Sequence, residues 1–164
     1  CPASVRRRKP DEPLSPEAAR AKALRLLGRR EHSARQLSHK LKAGGAESET
    51  ADSVIASLAE SGWQSDPRYA ETLVRSRIGQ GYGPLRIRAE LAMAGLPDHL
   101  IREALDTADC DWTQLAIETQ ARRFGAPPAT IDEKQKQWRT LAQRGFGSEH
   151  IRAAIQGAED AFDD

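Results

Sequence analysis

Aromatic side chains make up only 5% of the sequence, and alternating runs of β-branched residues are missing, which argues against a β-sandwich or barrel. With 38% hydrophobic residues and a mean hydropathy of −0.66, the 164-residue chain is also lean in core-building material. Cysteine is nearly absent: Cys1 and Cys110 form neither a spaced metal motif nor a disulfide framework, and a reducing, cytoplasmic setting is expected. No window approaches the roughly 20 apolar residues of a membrane span, so no membrane partner is expected. Arg6-Arg7-Arg8-Lys9 is followed by Pro10-Asp11-Glu12-Pro13 and not by an apolar signal core. Net charge is scarce too: 25 basic and 24 acidic side chains leave +1, so total charge does not announce a nucleic-acid binder and only its distribution can.

What is present is helical punctuation. Residues 1–14 carry prolines and a basic run with few apolar side chains, and read as a flexible basic arm. Ser15-Pro16-Glu17 then has the form of a helix start, Ser33-Ala34-Arg35-Gln36 that of a capping box, and Gly44-Gly45 that of a stop. A third stripe, Ala51, Val54, Ile55 and Leu58, ends at Gly62. The pattern begins again with Asp66-Pro67 as a helix cap, is broken at Gly81-Tyr82-Gly83-Pro84, and resumes with Ile87 and Leu91 up to Gly95. A third pass contains Trp112, Leu115 and Ala116, then Trp138 and Leu141 up to Gly145, then Ile151, Ala154 and Ile155.

Superposed at a period of about 50 residues, Leu41, Leu91 and Leu141 coincide, as do Gly45, Gly95 and Gly145, then Ala51, Ile101 and Ile151, and then Ile55, Leu105 and Ile155. The fold expected is all-α, an elongated array of three tandem three-helix repeats spanning 15–62, 63–109 and 110–158. An acidic tail at 159–164 is expected to fray.

Catalytic constellations are missing. His32, His39, His99 and His150 belong to no HExxH motif and are read as solvated surface residues. Gly79 to Gly83 lacks the GK[ST] and the preceding strand of a phosphate loop and reads as an interhelical turn. No enzyme, metal or cofactor is expected.

Charge is distributed unevenly: residues 1–50 carry +6, residues 51–100 carry −1 and residues 101–164 carry −4. Between residues 20 and 42, Arg20, Lys22, Arg25, Arg29, Arg30, Arg35, Lys40 and Lys42 face Glu31 alone, a density suited to a phosphate backbone or an acidic protein groove. Arg75, Arg86 and Arg88 flank the Tyr82 turn, where cations beside an aromatic ring could grip a backbone and stack a base; packing of Tyr82 on the helix pair is the competing reading. Arg77 falls on an apolar stripe and is expected to pair with Asp66 or Glu71. The candidate binding residues are thus Arg25, Arg29, Arg30, Arg35, Lys40, Lys42, Arg75, Tyr82, Arg86 and Arg88.

The run Ala23-Leu24-Arg25-Leu26-Leu27-Gly28-Arg29-Arg30-Glu31-His32-Ser33, with Gln36-Leu37 and Lys40-Leu41, resembles the opening of the RecX family. Ser61-Gly62-Trp63, Asp66 to Ala70, Val74 to Arg77, Gly81-Tyr82-Gly83-Pro84 with Arg86-Ile87, and Arg144-Gly145-Phe146 extend the likeness over residues 18–157. The single Asp66 where the family often has two acids, Gly28 in place of alanine, and the basic arm depart from it. The resemblance implies a regulator that binds the RecA filament and DNA, lowers the recombinase, coprotease and ATPase output of RecA, and modulates DNA repair and the SOS response. Repetition of the motif three times in one chain argues for a monomer that reads shape and backbone, so single- and double-stranded DNA without strong sequence preference are the expected nucleic-acid partners. The runner-up is a helix-turn-helix transcriptional regulator, which would require a single recognition helix and a dimer; a scaffold that meets only acidic proteins is the third reading.

Overall fold

The computed structural model describes residues 12–163, so the basic arm, apart from its last three residues, and Cys1 lie outside the described residues. The described residues form nine helices and no strand: α1 Pro16–Arg29, α2 Ala34–Ala43, α3 Ser48–Glu60, α4 Asp66–Gly79, α5 Pro84–Met93, α6 Asp98–Ala108, α7 Trp112–Phe124, α8 Ile131–Gln143 and α9 Ser148–Asp163. α9 carries the acidic segment on as helix as far as Asp163, beyond the point where fraying was expected.

Local chemistry explains the starts and stops. Ser15 Oγ accepts from the Ala18 amide at 3.2 Å, with Pro16 at the first helical position. Ser33 and Gln36 exchange both bonds of a capping box, each at 3.2 Å. At α4, the capping oxygen belongs to Ser65, whose Oγ accepts from Arg68 N at 3.2 Å. Asp66, expected to cap α4, is used elsewhere: its Oδ1 accepts from the Ala34 amide at the start of α2 and from Gln64 Nε2, both at 2.9 Å.

The second helix of every repeat ends in the same way. Gly45, Gly95 and Gly145 take φ of +103°, +87° and +95°, and the amide of the following residue, Ala46, Leu96 or Phe146, donates to the carbonyl of Leu41, Leu91 or Leu141. This is the glycine-terminated helix end in which the residue after the glycine turns inward, and all three of those residues are buried. Leu41, Leu91 and Leu141 are fully buried, and so are Ala51, Ile101 and Ile151 to within 3%. Repetition in the sequence is therefore repetition of one core position after another.

The chain divides into two compact units, with the division inside α4 between Tyr69 and Ala70. In the first, α1 to α3 enclose Ala19, Ala23, Leu37, Leu41, Ala51 and Leu58. Arg68 ties the end of that unit down, with Nε 2.6 Å from Glu31 and both terminal nitrogens at 2.9 Å from the carbonyls of Gly62 and Trp63. In the second, the second and third repeats form a single body. The Gly83 amide donates to Arg144 O at 2.7 Å and the Leu85 amide to Gly145 O at 3.0 Å, while Ile78 of α4 packs on the core of α7 to α9. The two turns approach so closely that a Cβ on Gly83 would lie 2.5 Å from the Gly145 carbonyl carbon and oxygen.

His32 corrects the expectation that every histidine is a surface residue. It is 1% exposed, with Nδ1 2.9 Å from Arg30 O and Nε2 without a hydrogen-bond partner. Burial, foremost, holds its pKa below the ordinary value, with Arg30 and Lys40 adding to that effect and the backbone bond and Glu31 opposing it. The unfolded chain takes up this proton near pH 6.5 while the folded chain resists it, so His32 leaves stability intact above about pH 6.5 and erodes it as the pH falls toward the folded value. Tm of the native chain is expected to fall more between about pH 7.5 and pH 5 than Tm of His32→Gln. Equal slopes for the two proteins would contradict this.

Two glycine substitutions test the packing. Gly83→Ala is expected to cost about 2–4 kcal/mol in chemical denaturation, because the atoms it meets are backbone and cannot yield cheaply. Gly28→Ala, in a helix with nothing within 4 Å of the added carbon, is expected to stabilise by up to about 1 kcal/mol.

Candidate nucleic-acid interface

In the first unit the basic residues sit on the outer surfaces of α1 and α2. Leu37 and Leu41 occupy the inner face of α2, which leaves Arg35, His39 and Lys42, spaced i, i+4 and i+7, on the opposite exposed face. Arg25 and Arg29 stand one turn apart on α1 and are exposed, as is Arg30 just beyond its end; Lys40 is half-buried. Lys22 reaches from α1 to the end of α2, its Nζ lying against Gly44, where the negative end of the helix dipole attracts a cation. Glu31 is held by Arg68, and among the described residues Arg25, Arg29, Arg30, Arg35, Lys40 and Lys42 have no carboxylate partner. The local positive charge thus remains available to an anion.

In the second unit the arrangement differs from expectation. Tyr82 is half-buried, and its ring is already occupied: the Arg86 guanidinium lies 4.2 Å and that of Arg144 4.7 Å from the ring centroid. A base could stack there only by displacing a cation, so the packed reading of Tyr82 prevails. Arg144 also donates to Gln80 O at 2.7 Å and Gly81 O at 3.3 Å, and Arg86 to Gln143 O at 3.3 Å, which stitches the two turns together. Arg77 pairs with Glu90 at 2.7 Å and with neither Asp66 nor Glu71, because the helix hairpin of α4 and α5 brings Glu90 across from it. Arg86 shares Glu90 at 3.7 Å and Arg88 approaches Asp98 at 3.9 Å, whereas Arg75 is exposed without an ion-pair partner among the described residues. Arg144 was not among the candidates. Its only signal in the sequence was its place before Gly145, at the end of a helix whose partner turn lies 60 residues away.

Nothing in the described residues assembles a metal centre of three or more His, Cys, Asp or Glu, and no described helix is long and apolar enough to cross a membrane. Cys110 is half-buried, and burial, with Asp111 and Glu118, raises its pKa, which disfavours the thiolate.

Models of three RecX domains match in order: the first three-helix domain over residues 19–58, the second over 65–105 and the third over 109–155. The chain belongs to the RecX family. It is 46% identical over 136 residues to the regulatory protein RecX of Stenotrophomonas maltophilia (strain K279a), covering 82% of this chain and 83% of that one. To the regulatory protein RecX of Xanthomonas campestris pv. campestris (strain B100) it is 44% identical, covering 82% and 84%. A crystal structure of RecX from Lactobacillus salivarius shares the fold with a TM-score of 0.72 at 21% identity, covering 88% of this chain and 96% of that one.

The third helix of the first repeat, α3, carries no lysine or arginine. On α3 the exposed residues include Asp52, Ser53, Ala56, Ser57 and Glu60, and Arg20 Nη1 donates to Ser57 Oγ at 3.2 Å. The stacked Tyr82 yields a direct check. Tyr82→Ala should cost about 1–2 kcal/mol, since it removes both cation–π contacts and buried ring surface, whereas Tyr82→Phe should stay within about 0.5 kcal/mol. Chemical denaturation of both variants measures the difference, and equal losses would show that the hydroxyl, not the ring, matters.

Proposed function

We propose that this chain binds the RecA filament on DNA, and DNA itself without strong sequence preference, and so lowers the recombinase, coprotease and ATPase output of RecA. It thereby modulates DNA repair and the SOS response as a non-enzymatic, monomeric, cytoplasmic regulator. Membership of a family of regulatory proteins supports the regulatory role. The observation that carries the DNA reading is the uncompensated cationic surface of α1 and α2, with Arg25, Arg29, Arg30, Arg35 and Lys42 all exposed and free of carboxylates among the described residues. A phosphate backbone is matched by such a surface because it needs charge at intervals and no fixed hydrogen-bond register.

Sequence-specific recognition through a helix-turn-helix is the weaker reading. The exposed face of α3 holds acids, serines and alanines and no arginine, lysine, asparagine or glutamine, so it lacks the bidentate donors for guanine and adenine and its carboxylates repel the phosphates.

A RecA ATPase assay on single-stranded DNA, with this protein titrated in, tests the proposal. Dose-dependent inhibition is expected, and replacing Arg25, Arg29 and Arg30 together by Ala should raise the concentration needed by roughly tenfold or more near physiological salt. Absence of inhibition by the native chain would overturn the function; undiminished inhibition by the triple variant would remove α1 from it.

A further inference from the structure

The third repeat carries the acidic share of the charge, yet one of its edges is strongly basic in space. A Cβ placed on Gly81 would lie 3.1 Å from Thr119 Oγ1 and 3.3 Å from Arg144 Nη1, so α7 and Arg144 meet at the same point of the Tyr82 turn. Arg122 and Arg123 follow Thr119 at i+3 and i+4, on the same side of α7, in the last turn before its Gly125 cap. Both are exposed, and neither has an ion-pair partner among the described residues. Arg86 and Arg144, held over the Tyr82 ring, complete a group of four guanidiniums. Among the described residues, Glu90 is the carboxylate that pairs with this group, 3.7 Å from Arg86, and it is more closely engaged by Arg77 at 2.7 Å; Glu118, one turn before Arg122 on α7, accepts from Gln114 Nε2 at 3.4 Å.

We propose that Arg86, Arg122, Arg123 and Arg144 form a second phosphate-binding site, built jointly by the second and third repeats, that takes consecutive phosphodiesters of a nucleic-acid backbone. The site rests on the DNA-binding reading above and adds a contact that the charge of the third repeat alone would not suggest. Its logic is pre-organisation. Arg144 spends one nitrogen on Gln80 O and Gly81 O, and the Tyr82 ring holds its plane and that of Arg86, so little side-chain freedom remains to be lost on binding. Four cations gathered around one turn repel one another, and an anion relieves that repulsion. Arg144 registers it: burial first, then the charges of Arg123, Arg86 and Arg122, lower its pKa, with Tyr82 opposing. Tyr82 is here a positioning residue and the guanidiniums are the ligand-binding groups.

Fluorescence anisotropy with labelled oligodeoxythymidine, repeated over a range of salt, tests the site. Arg122→Ala combined with Arg123→Ala is the informative variant, because neither side chain braces the fold. Loss of two phosphate contacts should flatten the slope of log K against log salt by about 1.4 and weaken binding alike for other single-stranded sequences. Arg122→Lys with Arg123→Lys should restore the slope. If the native chain binds and the alanine variant keeps the native affinity and slope, the second site is wrong while the DNA reading stands. If the variant binds DNA normally but loses binding to DNA-free RecA, the arginines serve an acidic protein surface and the site as proposed is overturned. If the native chain fails to bind even at low salt, the DNA reading itself falls, and the site with it.

Discussion

The approach of two backbones, at Gly83 and at Gly145, is the constraint on which the second unit depends. Two amides of one turn donate to two carbonyls of the other, and no side-chain atom could be placed between them. This contact does for the second and third repeats what a larger core would do in a thicker protein. Most of the apolar residues that the repeats bury are alanines, leucines and isoleucines. Hydrogen-bonded turns in direct contact let such thin layers share one interior, and the arginines on either side, Arg86 and Arg144, close the edges of the seam with further bonds to carbonyls. Around that seam everything else falls into place: the Tyr82 ring is trapped between turn and guanidinium, and α7 is brought up against Gly81.

Arginine has two roles in this molecule, separated by what its nitrogens touch. Arg68, Arg77 and Arg144 are structural, each satisfying a carboxylate or a row of carbonyls at a turn that would otherwise be open. Arg25, Arg29 and Arg35 are exposed and have no carboxylate partner among the described residues. The distinction matters for any reading of charge. A basic residue already bonded to the protein contributes its field but has less hydrogen-bonding capacity to offer, whereas an unbonded one offers both. Arg144 belongs partly to each class, because its bonds to Gln80 and Gly81 use one terminal nitrogen.

Much of the fold was legible beforehand because its signals are local. A serine with glutamine three residues on, a proline at a first helical position and a glycine after a leucine act through atoms a few residues away, so Ser33, Pro16 and Gly45 could be read without knowledge of the rest. The period of the leucine, glycine and isoleucine columns was equally visible. Less legible were the uses of polar side chains across longer distances. Asp66 looked like the cap of its own helix and instead holds the start of α2; Arg77 looked toward acids on its own helix or next to it and finds Glu90 on α5; His32 looked like one more surface imidazole and is enclosed. In each case the local signal was real, but a partner brought in by packing offered a better bond or removed the water.

By itself the sequence determined the helices, their ends and the threefold repetition, because caps, glycine stops and helical spacing are properties of short stretches of chain. It also determined that positive charge is concentrated in residues 20–42, with Glu31 its only counterweight. Tertiary structure alone decided which charges are spent and which repeats share a body. Whether an arginine is neutralised, stacked or free depends on what lies within a few ångströms of it, and for Arg144 and Tyr82 those neighbours come from turns about 60 residues apart that only the meeting of Gly83 with Gly145 brings together.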